Sequence, residues 1–219
     1  MSIRKIQFAT KEFYHLYNRG NSKQKIFLDT RDYKRFVSLL FAANRKEKFN
    51  FVDFHKGKDL YNRLPQQPLV AIGAYCLMPN HFHILVSPLV ESGISIFMQK
   101  LSTGYAMYFN ERYKRSGSLF QGKFKAQHAD NDTYLKYLFS YIHLNPLKII
   151  RNNLVDTRSL RSSDILLLEK YEFSSFIDYY EKEKRIQEKI LNKNIFPNYF
   201  LNEEHFIKEI QTWITYRKS

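Results

Sequence analysis

Two histidines one residue apart, His81 and His83, lie in the run Pro79-Asn80-His81-Phe82-His83-Ile84-Leu85-Val86. On an extended strand successive side chains alternate, so both imidazoles share one face and Phe82, Ile84 and Val86 take the other. Two imidazoles on one face make a bidentate platform for a divalent cation, each ring offering a neutral nitrogen once its other nitrogen is hydrogen-bonded. Two ligands are too few for a metal centre, and an HxH pair fits packed or surface histidines as well, so both readings stand at this point. A second set follows downstream. Tyr134, Tyr137, Tyr141 and Asn145 recur at three- and four-residue steps, which puts them on one side of a helix, with Leu135, Leu138 and Ile142 on the other. Tyr141 and Asn145 are then neighbours. A phenol beside a carboxamide that can ligate a hard cation has the parts of a phosphoryl-transfer nucleophile: the cation polarises the phosphate and offsets charge on a phenolate whose ordinary pKa of about 10 leaves it protonated at neutral pH. A tyrosine stripe in a chain with 16 tyrosines is also the pattern of a packed helix face.

Between these sets lies a run in which basic and aromatic residues interleave around Gly117 and Gly122. Arg112, Lys114, Arg115, Gln121, Lys123 and Lys125 suit phosphate contacts, and the aromatic residues suit stacking on single-stranded or distorted DNA. A solvated helix end followed by a turn would read the same way. Charge adds weight to nucleic acid. The chain carries 35 Lys and Arg against 21 Asp and Glu, a net charge of +14. Residues 1–50 hold 12 basic and 4 acidic side chains and residues 99–127 hold 6 and 1, whereas residues 181–219 hold 8 and 6. Concentrated positive charge favours a polyanion, because each neutralised phosphate releases condensed counterions.

The elements that must position these residues are legible in outline. Residues 12–19 read as a strand stopped at Gly20, and Tyr33, Phe36, Val37 and Leu40 after Asp29-Thr30 predict an amphipathic helix. Phe49 to Phe54 predicts a second strand and His55 to Pro68 a polar loop. Leu69 to Met78 and His81 to Val86, separated by Pro79-Asn80, predict a hairpin. Ile94, Phe97, Met98, Leu101, Tyr105, Tyr108 and Phe109 predict a long helix. Leu119 to Gln127 reads as a further strand. Asp130-Asn131-Asp132 offers caps for a helix that ends near Asn145, because a proline disfavours helix in the residue before it. Residues after Ile165 read as irregular helices, closing on Phe206, Ile207, Ile210, Trp213 and Ile214.

Composition bounds the rest. A 44% hydrophobic, 16% aromatic chain of 219 residues can fill a core. Its one cysteine, Cys76, sits in an apolar run, which excludes an intrachain disulfide and argues against a cysteine-based zinc site. No apolar run approaches membrane-spanning length, and the first residues lack the apolar core of a signal peptide, so a soluble, cytoplasmic protein with no membrane partner is expected.

Four ordered blocks resemble the REP-associated tyrosine transposases and their relatives, the single-tyrosine HUH transposases of small bacterial insertion sequences. They are Tyr17-Asn18-Arg19-Gly20, Met78 to Val86, Leu119-Phe120-Gln121-Gly122-Lys123-Phe124-Lys125 and Tyr141-Ile142-His143-Leu144-Asn145-Pro146, with a weaker echo in Glu172 to Phe176. The resemblance implies an α+β fold: a ferredoxin-like (RRM-like) antiparallel sheet with helices packed on it, in a catalytic domain over residues 1–155, followed by a helical C-terminal extension over residues 156–219. It implies that His81 and His83 are the metal-binding histidines, Asn145 the third metal contact and Tyr141 the nucleophile. With the basic run, it places Arg19, Arg112, Lys114, Arg115, Gln121, Lys123 and Lys125 at the DNA. The implied activity is nicking and rejoining of single-stranded, hairpin-bearing DNA through a 5′-phosphotyrosine bond with Mg2+ or Mn2+, in a monomer or a homodimer; two imidazoles with an amide would accept Zn2+ as well. A non-catalytic binder of structured nucleic acid and a water-using metal phosphodiesterase are the competing readings. No general base is named: His128 and His143 are near in sequence, and helical geometry turns His143 about 200° away from Tyr141.

Overall fold

The computed structural model describes residues 7–48, 60–150, 160–180 and 184–214. Its centre is a four-stranded antiparallel sheet of order β2-β3-β1-β4, formed by β1 (Tyr14–Arg19), β2 (Val70–Met78), β3 (His81–Pro88) and β4 (Lys125–His128). Helix α1 (Thr30–Ala42) follows β1 and helix α2 (Gly93–Arg112) follows β3. The order β1-α1-β2-β3-α2-β4 is that of a ferredoxin-like fold, as the resemblance implies.

Alternation along the strands divides the molecule into two packed faces. Tyr14, Leu16, Tyr75, Leu77, Phe82, Ile84 and Val86 point toward α1 and α2, where Phe36, Leu40, Phe97, Leu101 and Tyr105 complete a buried core. Asp29 starts α1 by accepting bonds from the Arg31 and Asp32 amides at 2.9 and 3.2 Å. Ala71, Ala74, Cys76, Met78 and Leu85 point the other way, toward α3 (Asp132–Leu144), which buries Leu135, Leu138, Phe139 and Ile142 against them. Small residues on β2 let this helix lie close to the sheet. Asn131 caps α3 through the Tyr134 amide at 2.8 Å, and Pro146 lies just past its end.

A short helix, α4 (Leu147–Ile150), follows α3, and residues 160–214 supply α5 (Ser162–Glu169), α6 (Phe176–Tyr180), two 3-10 turns and α7 (Glu203–Ile214). These residues are built into the sheet's surroundings rather than hung from them. The outer rim of β2 is bonded by Phe173 and Ser175: the Leu77 amide donates to the Phe173 carbonyl at 3.0 Å and the Ser175 amide to the Tyr75 carbonyl at 2.9 Å. Arg185 secures this strip through Asp178, 2.7 Å from both its Nε and Nη2, and through the Tyr75 hydroxyl at 2.9 Å. Register slips by one residue at Gly73, where Phe196 packs so closely that a Cβ would stand 2.7 Å from its ring.

Two predicted elements differ. Leu119 to Gln127 is not one strand: Phe120 makes an isolated antiparallel bridge with Gly20, the ladder itself runs over Lys125–His128, and between the two the chain bends through Gly122 in a left-handed conformation at φ 69°. The loop predicted from His55 contains a 3-10 turn at Leu60–Asn62 that buries Leu60 and Tyr61. The strand predicted at Phe49–Phe54 lies outside the described residues. Cys76 is fully buried, and burial pushes its thiol pKa up. Among the described residues, no helix is long and apolar enough to cross a membrane.

Candidate active site

Strand β3 carries His81 and His83 on the face that receives α3, with Phe82 between them in the opposite core. Their rings stand 4.9 Å apart, edge to face. Tyr141, on the last full turn of α3, points its ring at the same place, edge-on to His83 at a centroid distance of 5.4 Å. The strand pair and the helix stripe that sequence spacing treats separately therefore meet. Tyr134, Tyr137 and Tyr141 run along one line of α3 with ring separations of 5.8 and 5.7 Å, and His143 faces away, fully buried with Nε2 2.8 Å from Ser175 Oγ.

Both histidines have one ring nitrogen already engaged. Nδ1 of His81 lies 2.7 Å from Asn80 Oδ1, and Nδ1 of His83 lies 2.8 Å from Nε2 of His15. That leaves Nε2 on each ring, and Nε2 of His83 is buried without a hydrogen-bond partner. Burial, then the charges of Lys148 and Arg19, lowers the His81 pKa to about 4; burial, then the neighbouring histidines and Lys148, holds His83 well below its ordinary value. Both rings are neutral at physiological pH, the state in which imidazole binds a metal.

Asn145 caps α3 and is nearly inaccessible. Its Nδ2 donates to the Tyr141 carbonyl at 2.8 Å and its Oδ1 accepts from Lys148 Nζ at 3.0 Å. The Lys148 ammonium also stands 4.4 Å from the centre of the Tyr141 ring. Burial is the main cause that raises the Tyr141 pKa, with a contrary contribution from the Asn145 amide. Among the described residues there is no cluster of three or more His, Cys, Asp or Glu side chains suited to a metal ion. The available donors are two imidazoles and one carboxamide. The orphaned Nε2 of His83 and the two engaged Nδ1 atoms fit a divalent cation, whereas the Asn145 oxygen is taken up by Lys148.

The basic candidates divide by position. Arg19 is paired with His81 in the β1–β3 register and its Nε donates to Gln121 Oε1 at 2.5 Å, so both exposed side chains border the histidine pair. Lys125 stands opposite Tyr17 across β1 and β4, on the face of Tyr141, while Lys123 lines a cleft between α2 and residues 119–124 on the other side. Arg112 is taken up internally: it bridges Asp29 and the buried Asp32, which also accepts from the Tyr108 and Tyr113 hydroxyls. Arg115 lies 5.6 Å from the centre of the Phe109 ring, and Lys114 occupies a left-handed turn after α2. These three belong to the α2 side of the sheet.

Sequence reasoning did not find His15 or Lys148. His15 lies on β1 diagonal to His83, with its ring 5.0 Å from both His83 and Tyr17 and 6.0 Å from Tyr141. Lys148 lies beyond Pro146, where the helix signal stops.

A family model described as Transposase IS200 like matches residues 10–145, from just before β1 to the Asn145 cap. No curated protein matches the chain. Among solved structures, the chain is similar to a REP-associated tyrosine transposase bound to a REP hairpin, at 12% identity and a TM-score of 0.48, covering 82% of this chain and 85% of that one. It is also similar to a candidate transposase from Deinococcus radiodurans, at 14% identity and a TM-score of 0.34, covering 69% and 98%.

Proposed function

The chain belongs to the IS200-like transposase family, and from that premise we propose that it nicks and rejoins single-stranded, hairpin-bearing DNA with Tyr141 as the nucleophile. The observation that carries this reading is the convergence of the Tyr141 ring, edge-on at 5.4 Å, with the neutral His81 and His83 pair on one buried face. Tyr141 attacks a backbone phosphorus through its hydroxyl oxygen. The new bond is a 5′-phosphotyrosine, and the departing oxygen leaves as a 3′-hydroxyl that can reverse the step. His81, His83 and Asn145 would hold a divalent cation, Mg2+ or Mn2+, which when bound supplies Lewis-acid polarisation of the phosphate. The chain's own groups do the rest. Asn145 ties its side chain to the Tyr141 carbonyl and so fixes the helix turn that aims the phenol. Lys148, 4.4 Å from the ring centre, brings positive charge to the place where phenolate charge develops.

Arg19, Gln121 and Lys125 border the site on the face of Tyr141 and are the side chains best placed for the strand's phosphates. Arg112, bound to two carboxylates, is better explained as a brace between α1 and α2.

The test is a labelled hairpin oligonucleotide incubated with Mn2+ and either wild type or Tyr141→Phe. Wild type should give a cleaved strand and a protein–DNA adduct stable in denaturing gels, and the variant should give neither. Cleavage that survives in Tyr141→Phe would assign the attack to water, and tight binding with no cleavage by wild type would make the protein a binder only.

A further inference from the structure

His15 has no part in the scheme above, yet it is buried near the start of β1 with its Nε2 2.8 Å from Nδ1 of His83. Two facing nitrogens of neutral imidazoles at that separation need one donor and one acceptor. Were the proton on His15 Nε2, His83 would carry its own proton on Nε2, a donor in buried space with nothing to receive it. With the proton on His83 Nδ1, that Nε2 is a bare lone pair. His81 shows the same plan, because the oxygen of Asn80 2.7 Å from its Nδ1 can only accept. The two rings of the HxH pair then present like atoms in like states. Tyr17 stacks on His15 at 5.0 Å and the edge of Tyr141 approaches it at 6.0 Å, which keeps the His15 ring from turning away.

We propose that His15 is a positioning residue: it accepts a hydrogen bond from His83 Nδ1 and so fixes the tautomer and ring plane in which His83 Nε2 is offered to a divalent cation. The assignment rests on the cation-dependent reading of the site. Acceptors behind a metal-bound histidine make the ring a better ligand, and their loss typically weakens metal binding by about 10- to 100-fold.

The experiment uses the full chain as wild type, His15→Leu, His15→Gln and His83→Ala. Long-range proton–nitrogen spectra of the metal-free wild type report the His83 tautomer with no substitution made, and Mn2+ affinity is read from the free-ion electron paramagnetic resonance signal. His83 should be protonated on Nδ1. His15→Leu should bind Mn2+ roughly 10- to 100-fold more weakly, while His15→Gln, whose amide oxygen can accept, should recover most of the loss. The proposal is overturned if wild-type His83 carries its proton on Nε2, if His15→Leu binds within about twofold of wild type, or if the Gln variant is as weak as the Leu variant. Mn2+ binding that depends on His83 but not on His15 sinks this assignment alone. Wild type that takes up no Mn2+ at His83 sinks the cation reading and this assignment with it.

Discussion

The two faces of one sheet make different use of the same strands. Toward α1 and α2 the strands present Leu16, Tyr75, Leu77, Phe82, Ile84 and Val86, all fully buried among apolar partners. Toward α3 they present small residues at one end and His15, His81 and His83 at the other. The first face is closed by bulk and the second by fit, which leaves the second face room for polar rings whose nitrogens are not all used. Phe82 and His83 are adjacent in the chain, yet they stand on opposite sides of this division.

That contrast can be broken most directly at those two positions. Phe82→Ala should cost about 3–5 kcal/mol in denaturant unfolding, while nicking per folded molecule stays near wild type. His83→Ala should do the reverse, lowering nicking by roughly 100-fold or more with a far smaller stability change. Equal stability losses from both would show that the second face is ordinary core.

Acid sensitivity should also belong to one face. His15 and His143 are held at about 3 by burial, below the unfolded value of about 6.5. The unfolded chain then binds more protons than the folded one between those limits. Stability is full above about pH 6.5 and is lost as pH falls toward 3, with a slope approaching ~1.4 kcal/mol per pH unit for each ring. Melting temperatures followed from about pH 7 to about pH 4.5 should fall steadily, and a flat profile would mean that these rings are hydrated and free to charge.

The smallest effects concern surface charge. Lys125→Ala should weaken oligonucleotide binding a few-fold and lower the salt-dependence slope by roughly 0.7–0.9, with an unchanged melting temperature. Arg112→Ala should do the opposite, lowering the melting temperature because Asp32 loses its cation, and leaving the salt slope as it was. If Arg112→Ala reduced the slope as well, the α2 side of the sheet would have to carry DNA.

How much of this was legible depended on how far each feature reached along the chain. The HxH alternation and the Tyr141–Asn145 step are local periodicities, and the long α2 spacing is too. The meeting of Tyr141 with His83 is not local, and only the likeness to a transposase family joined the two sets in advance. His15 escaped because its contact depends on the β1–β3 register, a diagonal between strands that no spacing rule encodes. Lys148 escaped because it sits past a proline, in a separate turn. Residues 119–124 misled because their aromatic content suits a strand, whereas the left-handed turn at Gly122 separates the isolated bridge at Phe120 from the ladder that starts at Lys125.

The strip at Phe173–Ser175 has a consequence for how copies of the protein can meet. An open β-edge is an invitation to continue the ladder with a neighbouring molecule. Here the Tyr75 and Leu77 amides and the Tyr75 carbonyl on the outer side of β2 are already answered from within the same polypeptide, by Phe173 and Ser175. Growth of a shared ribbon across this border is closed off, and a fragment ending before the strip would carry a raw, adhesive margin along its longest strand.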